Sequence, residues 1–382
     1  MADRTPVIAG VAESALGITN RTILDLQAEA VAGALDDAGL ALRDVDGLFT
    51  TAVSRFSVAQ VAEYLGIVPT SSDGTMAGGS SYEMFVAHAA EAIRAGHCEV
   101  ALISYANNQR SAKSRTFGGV IDEHTPEAQF EQPYAPLNPI SLYAMAARRH
   151  MHEFGTTSEQ LAEVAVAARA WALRNPVAFR YGKGPLTVED VLGSEMISDP
   201  LHALDCCLIT DGGGAVVMTT AERARHLPKR AVRVLGHGEA TTNQGMASIP
   251  DLTDTGARVA GTRAYAMAGL GPGDVDVAQV YDSFTITVLT ELEALGFCER
   301  GEAGSFVEGG RIAPGGDFPM NTSGGGLSYC HPGVFGILLV VEAVRQLRGE
   351  CGERQVPGAE VALCHGTGGI LSTHATVIVG LD

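Results

Sequence analysis

The sequence predicts an α/β protein made of two related halves with a different segment inserted between them. Three observations predict it. Short apolar strands alternate with segments of helical period. An ordered pair of sequence echoes recurs late in the chain: Ala38-Gly39-Leu40 with Asp44-Val45-Asp46 returns as Ala268-Gly269-Leu270 with Asp274-Val275-Asp276, and EAIR (91–94) with EVAL (99–102) returns as EAVR (342–345) with EVAL (360–363). A glycine-rich loop also precedes an apolar helix at the matching place in each half, DGTMAGGSSYEMF (73–85) and NTSGGGLSYCHPGVF (321–335).

Taken in order, residues 22–39 carry the helical period, 46–51 a short strand, 81–95 a helix and 99–104 an apolar strand. The second half repeats this with 262–270, 276–281, 334–348 and 359–364. Strands alternating with helices imply parallel sheets covered on both faces. The segment between the halves carries two amphipathic helices, 141–154 and 158–174. Asp211-Gly212-Gly213-Gly214, following the apolar CCLIT, reads as a turn between strands. The expected organisation is a first half of residues 1–110 plus 200–226, an inserted domain of 111–199, and a second half of 227–382.

Composition narrows the function. A chain of 382 residues that is 46% hydrophobic and rich in glycine can bury several cores. A net charge of −18 argues against nucleic-acid or anionic-membrane surfaces. The seven cysteines form no C-x-x-C, so neither a disulfide framework nor a zinc ribbon is indicated, and no metal site is expected. With no signal-like or membrane-length apolar run, the expectation is a soluble cytoplasmic protein.

The two glycine loops present backbone N–H groups and a helix dipole to one edge, a setting for an oxyanion or a phosphate. N-capping by Ser80, Ser81 or Ser328 is the alternative reading of their serines. His331 sits at that edge between Cys330 and Pro332. Tyr281-Asp282-Ser283-Phe284 closes a strand, where Asp282 either serves a site or caps the helix starting at Thr285. Nucleotide-fold, hydrolase-elbow, zincin and P-loop signatures are absent. Arg148, Arg149, Arg169, Arg174, Arg180 and Lys183 make the inserted segment locally basic in an acidic chain. That reversal suggests an anion there, the alternative being solvated helix faces.

DPLHALDCCLITDGGGAVVM (199–218), YDSF (281–284), NTSGGGLSYCHPG (321–333), RQVPGAEVAL (354–363) and CHGTGG (364–369), in this order along the chain, resemble the thiolase superfamily in its sterol-carrier-protein-type branch. The resemblance implies a thiolase fold: two pseudo-symmetric halves in a five-layer αβαβα core with an inserted loop domain, usually as a homodimer. It places the family's Gly-His-Pro histidine on His331, its C-x-G cysteine on Cys364 and its H-D-C-F motif on Tyr281–Phe284. The family's nucleophilic cysteine would fall near Met76, and no cysteine precedes Cys98. An acyl-enzyme of the usual kind is therefore not expected, and Ser80 or Ser81 would be a poor substitute.

What the resemblance leaves is enolate stabilisation by His331 with a backbone or water partner near Asn321 and Gly324. This suits retro-aldol cleavage of a β-hydroxyacyl-CoA, with Tyr329 or Tyr281 as the base and Asp282 orienting a partner. The pattern is similar to the thiolase-like aldolases of steroid side-chain degradation, which work with a small OB-fold and zinc-ribbon subunit. Arg148, Arg149, Arg174, Arg180 and Lys183 would meet the CoA phosphates; coenzyme A enters as part of the substrate, and no other cofactor is implied. The competing readings are an acyltransferase with an unusual nucleophile, Ser80 or Cys330, and a non-catalytic scaffold subunit.

Overall fold

A computed structural model describes residues 3–114 and 122–381. The first half contains β1 (Pro6–Glu13), α1 (Ile23–Ala38), β2 (Gly47–Phe49), α2 (Ser57–Leu65), β3 (Ser71–Asp73), α3 (Ser81–Ala95) and β4 (Val100–Asn107). A mostly helical segment follows, with α4 (Gln109–Ala112), α5 (Pro126–Phe130), α6 (Ile140–Phe154), α7 (Ser158–Ala172), α8 (Val188–Leu192) and a hairpin of β5 (Met196–Ser198) and β6 (Leu201–His202). The chain returns through β7 (Gly212–Thr220), α9 (Ala221–Ala224) and β8 (Val232–Thr241). It then runs through α10 (Ala257–Ala268), β9 (Val277–Val280), α11 (Thr285–Ala294), α12 (Ala303–Val307), α13 (Gly336–Arg348), β10 (Val361–Gly368) and β11 (Thr373–Gly380).

The strands run in the order β3-β2-β4-β7-β1-β8-β11-β10-β9. The two halves meet where β1 pairs antiparallel with β8 at Val7–Arg233 and Ile8–Val232. Outward from that seam the halves mirror each other: β7 corresponds to β11, β4 to β10 and β2 to β9. In the place of β3, Met320 bridges Ala278 in parallel. The sheet is mixed rather than parallel. Only β2–β3, β2–β4 and β9–β10 are parallel, whereas β1, β7, β8 and β11 pair antiparallel. Helical crossovers force parallel pairing only on the strands that they connect. The glycine run is also not a turn, because Gly212–Gly214 open β7. There a Cβ on Gly213 would sit 2.1 Å from the Tyr105 carbonyl oxygen, so the absence of a side chain allows close backbone approach.

α1 packs on the outer face of β1, β7 and β4, and α10 on that of β8 and β11, while α3 and α13 lie together between the two sheet halves and touch both. The result is the αβαβα layering. Its central layer is the largest apolar cluster, including Phe85, Ile93, Phe335, Leu338 and Val341. The repeated sequence echo has a physical basis. Gly39 and Gly269 end α1 and α10 in the left-handed conformation, at φ 69° and 68°. Asp46 then accepts the N–H groups of Glu99 and Val100, and Asp276 those of Glu360 and Val361. Each aspartate thus ties the entry of one half's central strand to the strand beside it.

Candidate active site

The parallel strand ends and the glycine loops deliver side chains to one place. Tyr281 follows β9, and its backbone N–H donates to the His365 carbonyl at 2.9 Å. Its phenol oxygen lies 2.9 Å from His331 Nε2 and 3.2 Å from the Gly333 carbonyl, and it accepts the Phe335 N–H at 3.2 Å. The rings of Tyr281, His331 and Phe335 pack together, Tyr281 edge-on to the other two. Thr210 fixes the histidine's backbone by accepting its N–H and donating its own N–H to its carbonyl, at 2.9 and 3.2 Å. Tyr105 secures the next turn by donating to the Pro332 carbonyl at 2.6 Å and accepting from Val334 N–H.

Burial lowers the His331 pKa to about 4, so the imidazole is neutral near pH 7. Burial also raises the Tyr281 phenol well above its ordinary value. The pair is therefore neutral, and with Nε2 protonated the imidazole donates to the Tyr281 oxygen, leaving the phenol O–H to donate to a developing oxyanion. A neutral imidazole acting as an electrophile is an established catalytic pattern.

Asp282 does not cap α11. Its buried carboxylate accepts the N–H groups of Gly326 and Leu327, at 2.6 and 3.1 Å, and so caps the π-helical turn Gly325–Tyr329. Burial raises this carboxyl to about 7, against those two hydrogen bonds. A Cβ on Gly325, at φ 61°, would fall 2.1 Å from Asp282 Oδ2, so glycine makes this cap possible. Asn321 spends its amide on β9, accepting from Val280 N–H and donating to Val280 C=O at 2.8 Å each. Gly324, at φ 103°, packs against Ala172 of α7. These contacts set the loop's shape.

The first-half loop crosses the same place, since a Cβ on Gly79 would come within 2.4 Å of the Tyr281 ring. Ser80 Oγ donates to the Ala77 carbonyl and lies 2.9 Å from Thr373 Oγ1, and Ser81 Oγ accepts the Ala77 N–H. Both hydroxyls close the turn entering α3, and both serines are fully buried. Cys330 is buried with its Sγ 3.1 Å from Thr210 Oγ1, and burial pushes its thiol up to about 12. Cys364 is likewise buried, its Sγ 3.7 Å from the Leu339 carbonyl, with its pKa raised well above the usual thiol value. None of these groups is an activated nucleophile. Met76 is half exposed.

Tyr329 lies elsewhere. Its ring is in the central core beside the ion pair of Glu13 and Arg345, and burial raises its phenol well above the ordinary range. The π-helical turn ends at Tyr329 and Cys330 is extended, and the two side chains reach different surroundings, Tyr329 beside Glu13 and Arg345 and His331 beside Tyr281. Sequence reasoning passed over Tyr143, which reaches from α6 to donate to the Gly369 carbonyl at 3.3 Å and packs its ring, tilted, against Phe284 at 4.5 Å. It also passed over Glu83 of α3, fully buried against Gly336 and Gly366 with neither carboxylate oxygen hydrogen-bonded, and raised to about 8 by burial. An acidic residue on the inward face of an apolar helix was the available signal.

A cavity of about 420 Å³ adjoins, lined by Arg110, Phe179, Arg180, Lys183, Leu327 and the 206–209 strip. That strip also forms the wall of the site. Cys207 N–H donates to the Ser283 carbonyl and Leu208 N–H to that of Gly326, at 2.9 Å each. The structure thus gathers Arg180 and Lys183 and adds Arg110. Arg148 pairs with Asp199 and Arg149 with Glu153, and neither they nor the exposed Arg174 line the cavity. Arg169 is buried, donating weakly to Ser328 Oγ and the Gly184 carbonyl.

Residues 238–381 match the family model described as thiolase C-terminal domain-like. The chain is 37% identical over 363 residues to a steroid side-chain-cleaving aldolase of Thermomonospora curvata, covering 92% of each chain. The chain belongs to the thiolase superfamily. It is also 39% identical to a 17-hydroxy-3-oxo-4-pregnene-20-carboxyl-CoA lyase of Mycobacterium tuberculosis, covering 92% of this chain and 93% of the relative. An acetyl-CoA acetyltransferase of Methanothermobacter thermautotrophicus is 35% identical, with 97% and 99% covered. The solved Ltp2-ChsH2(DUF35) aldolase superposes with a TM-score of 0.90 at 36% identity, covering 100% of this chain and 99% of that one. Among the described residues, no helix is long and apolar enough to cross a membrane.

Proposed function

We propose that this protein is a CoA-ester aldolase. It breaks the Cα–Cβ bond of a β-hydroxyacyl-CoA, the β-hydroxyl losing its proton as it becomes a ketone or aldehyde. The bonding pair passes into the thioester enolate, which is then protonated at Cα to give a shorter acyl-CoA. His331 Nε2 and the Tyr281 hydroxyl carry the reading: 2.9 Å apart, neutral and held rigidly, they are placed to share a proton and stabilise the enolate oxygen. Met76 near the nucleophile's place, and serines spent on turn closure, favour this over acyl transfer.

By analogy with its relatives, the acyl group is proposed to be a steroid side chain. The Arg110, Arg180 and Lys183 cavity is proposed to hold the CoA phosphates through charge-assisted hydrogen bonds. The working assembly is proposed to be a homodimer with a separate OB-fold and zinc-ribbon subunit.

The test incubates the protein, with and without such a subunit, with a steroid β-hydroxyacyl-CoA and follows products by mass spectrometry. A carbonyl product with a shortened acyl-CoA and an unmodified polypeptide is expected. An acyl adduct on Ser80 or Cys330 would establish the acyltransferase instead. Absence of turnover in every combination, with binding to an active thiolase, would establish the scaffold.

A further inference from the structure

Behind the Tyr281 strand end, Glu291 of α11, His365 of β10 and His374 of β11 converge in the protein interior, all fully buried. One ligating atom from each lies within 4.8 Å of the others. Glu291 Oε2 is 3.1 Å from His365 Nε2, and Glu291 Oε1 is 3.4 Å from His374 Nδ1. These are ion-pair contacts rather than well-aligned hydrogen bonds. Glu291 Oε1, His365 Nε2 and both ring nitrogens of His374 have no partner of acceptable geometry. His365 is oriented from its other side, where Nδ1 lies 2.8 Å from Thr376 Oγ1. An outer partner on the second nitrogen is how metal-bound histidines are commonly held.

Unmatched polar atoms in a buried cluster are costly, so a shared partner is called for, and one ion would serve three of the four by taking a single nitrogen of each imidazole. Spacing distinguishes a metal from a water. Tetrahedral bonds of about 2.0–2.1 Å, typical of zinc, put neighbouring donors about 3.3 Å apart. Hydrogen bonds of about 2.8 Å to one water would put them roughly 4.5 Å apart. The observed 3.1 and 3.4 Å, measured to the two different oxygens of Glu291, are shorter than a shared water would give and are compatible with a metal ion between the three side chains. Two imidazoles and a carboxylate are a donor set for a first-row divalent ion, not for magnesium or calcium.

We propose that Glu291, His365 and His374 bind one divalent transition-metal ion, zinc by donor chemistry, in a buried site. The Thr255 hydroxyl, which donates to Glu291 Oε2 at 3.4 Å, holds the carboxylate from outside, and a water completes the coordination. The ion ties β10, β11 and α11 together. Because the His365 carbonyl accepts the Tyr281 N–H, it also steadies the strand end that carries the phenol. The three residues form no local motif and are assembled only by the β10–β11 pairing and the packing of α11.

The experiment uses the chain expressed alone, so that no zinc-ribbon subunit contributes metal. Elemental analysis after dialysis in chelator-free buffer should give about one zinc per chain. Chelator-treated protein should take up one Zn2+ in competition with a chromogenic chelator and melt at higher temperature once loaded. Glu291→Gln and His374→Gln should each lose that uptake. X-ray absorption of the zinc-loaded wild type should show nitrogen and oxygen neighbours with imidazole scattering, which decides the matter even if both variants unfold. No saturable uptake by the wild type, uptake retained by both variants, or sulfur in the coordination shell would overturn the proposal.

Discussion

Glu83→Gln isolates a buried acid whose energetics the structure makes explicit. The Glu83 carboxyl is wholly buried with neither oxygen hydrogen-bonded, and its pKa stands at about 8 instead of the ordinary 4.5. A carboxyl raised in this way keeps its proton in the folded state while the unfolded chain releases it. Between pH 4.5 and 8 the native state therefore binds more protons, and stability falls as pH rises, levelling off above 8. Each pKa unit is about 1.4 kcal/mol, so between pH 5 and 9 this group removes about 4 kcal/mol. Glutamine has the same shape and does not titrate. Urea unfolding of both proteins at pH 5, 7 and 9 should show the variant gaining on the wild type by about 4 kcal/mol across that range. Any fixed cost of burying the amide cancels in the difference. Parallel stability profiles would refute the buried neutral acid.

Tyr281→Phe should lower turnover about a hundredfold to ten-thousandfold with the fold retained by circular dichroism, whereas Tyr329→Phe should change melting temperature more than turnover. Burial holds His331 at about 4, so the pH–rate profile should show no limb near 6.5 that His331→Gln abolishes; as pH falls from 6.5 toward 4, the unfolded chain takes up a proton that the folded histidine refuses, and stability falls with it. Gly325→Ala, at φ 61° and facing Asp282 Oδ2, should cost about 2 kcal/mol or more in chemical unfolding. Arg180→Ala should raise KM for CoA esters about tenfold with kcat little changed, and Arg148→Ala should leave both unchanged.

Local patterns carried much of the fold. The helical period of residues 22–39 and 81–95, the Ala-Gly-Leu ends of α1 and α10, and the aspartates that pin the central strands all act over a few residues. They are therefore visible in the amino-acid order, and so was the two-half organisation. The loop bearing His331 and the strand end bearing Tyr281 were likewise legible, because polar residues interrupt an apolar strand-to-helix junction.

Tertiary structure alone decided which of these side chains meet. The π-helical turn capped by Asp282 turns Tyr329 into the core and His331 toward Tyr281, a choice set by a carboxylate more than forty residues away along the chain. Asp199 and Glu153 neutralise Arg148 and Arg149, while Arg110 joins Arg180 and Lys183 across a cavity that no contiguous motif encodes. Glu291, His365 and His374 are brought together only by strand pairing and helix packing. Short-range hydrogen bonding and periodicity are properties of neighbouring residues and can be read in order. Electrostatic pairing, burial and side-chain convergence depend on distances in space, which the chain acquires only when its two halves close on each other.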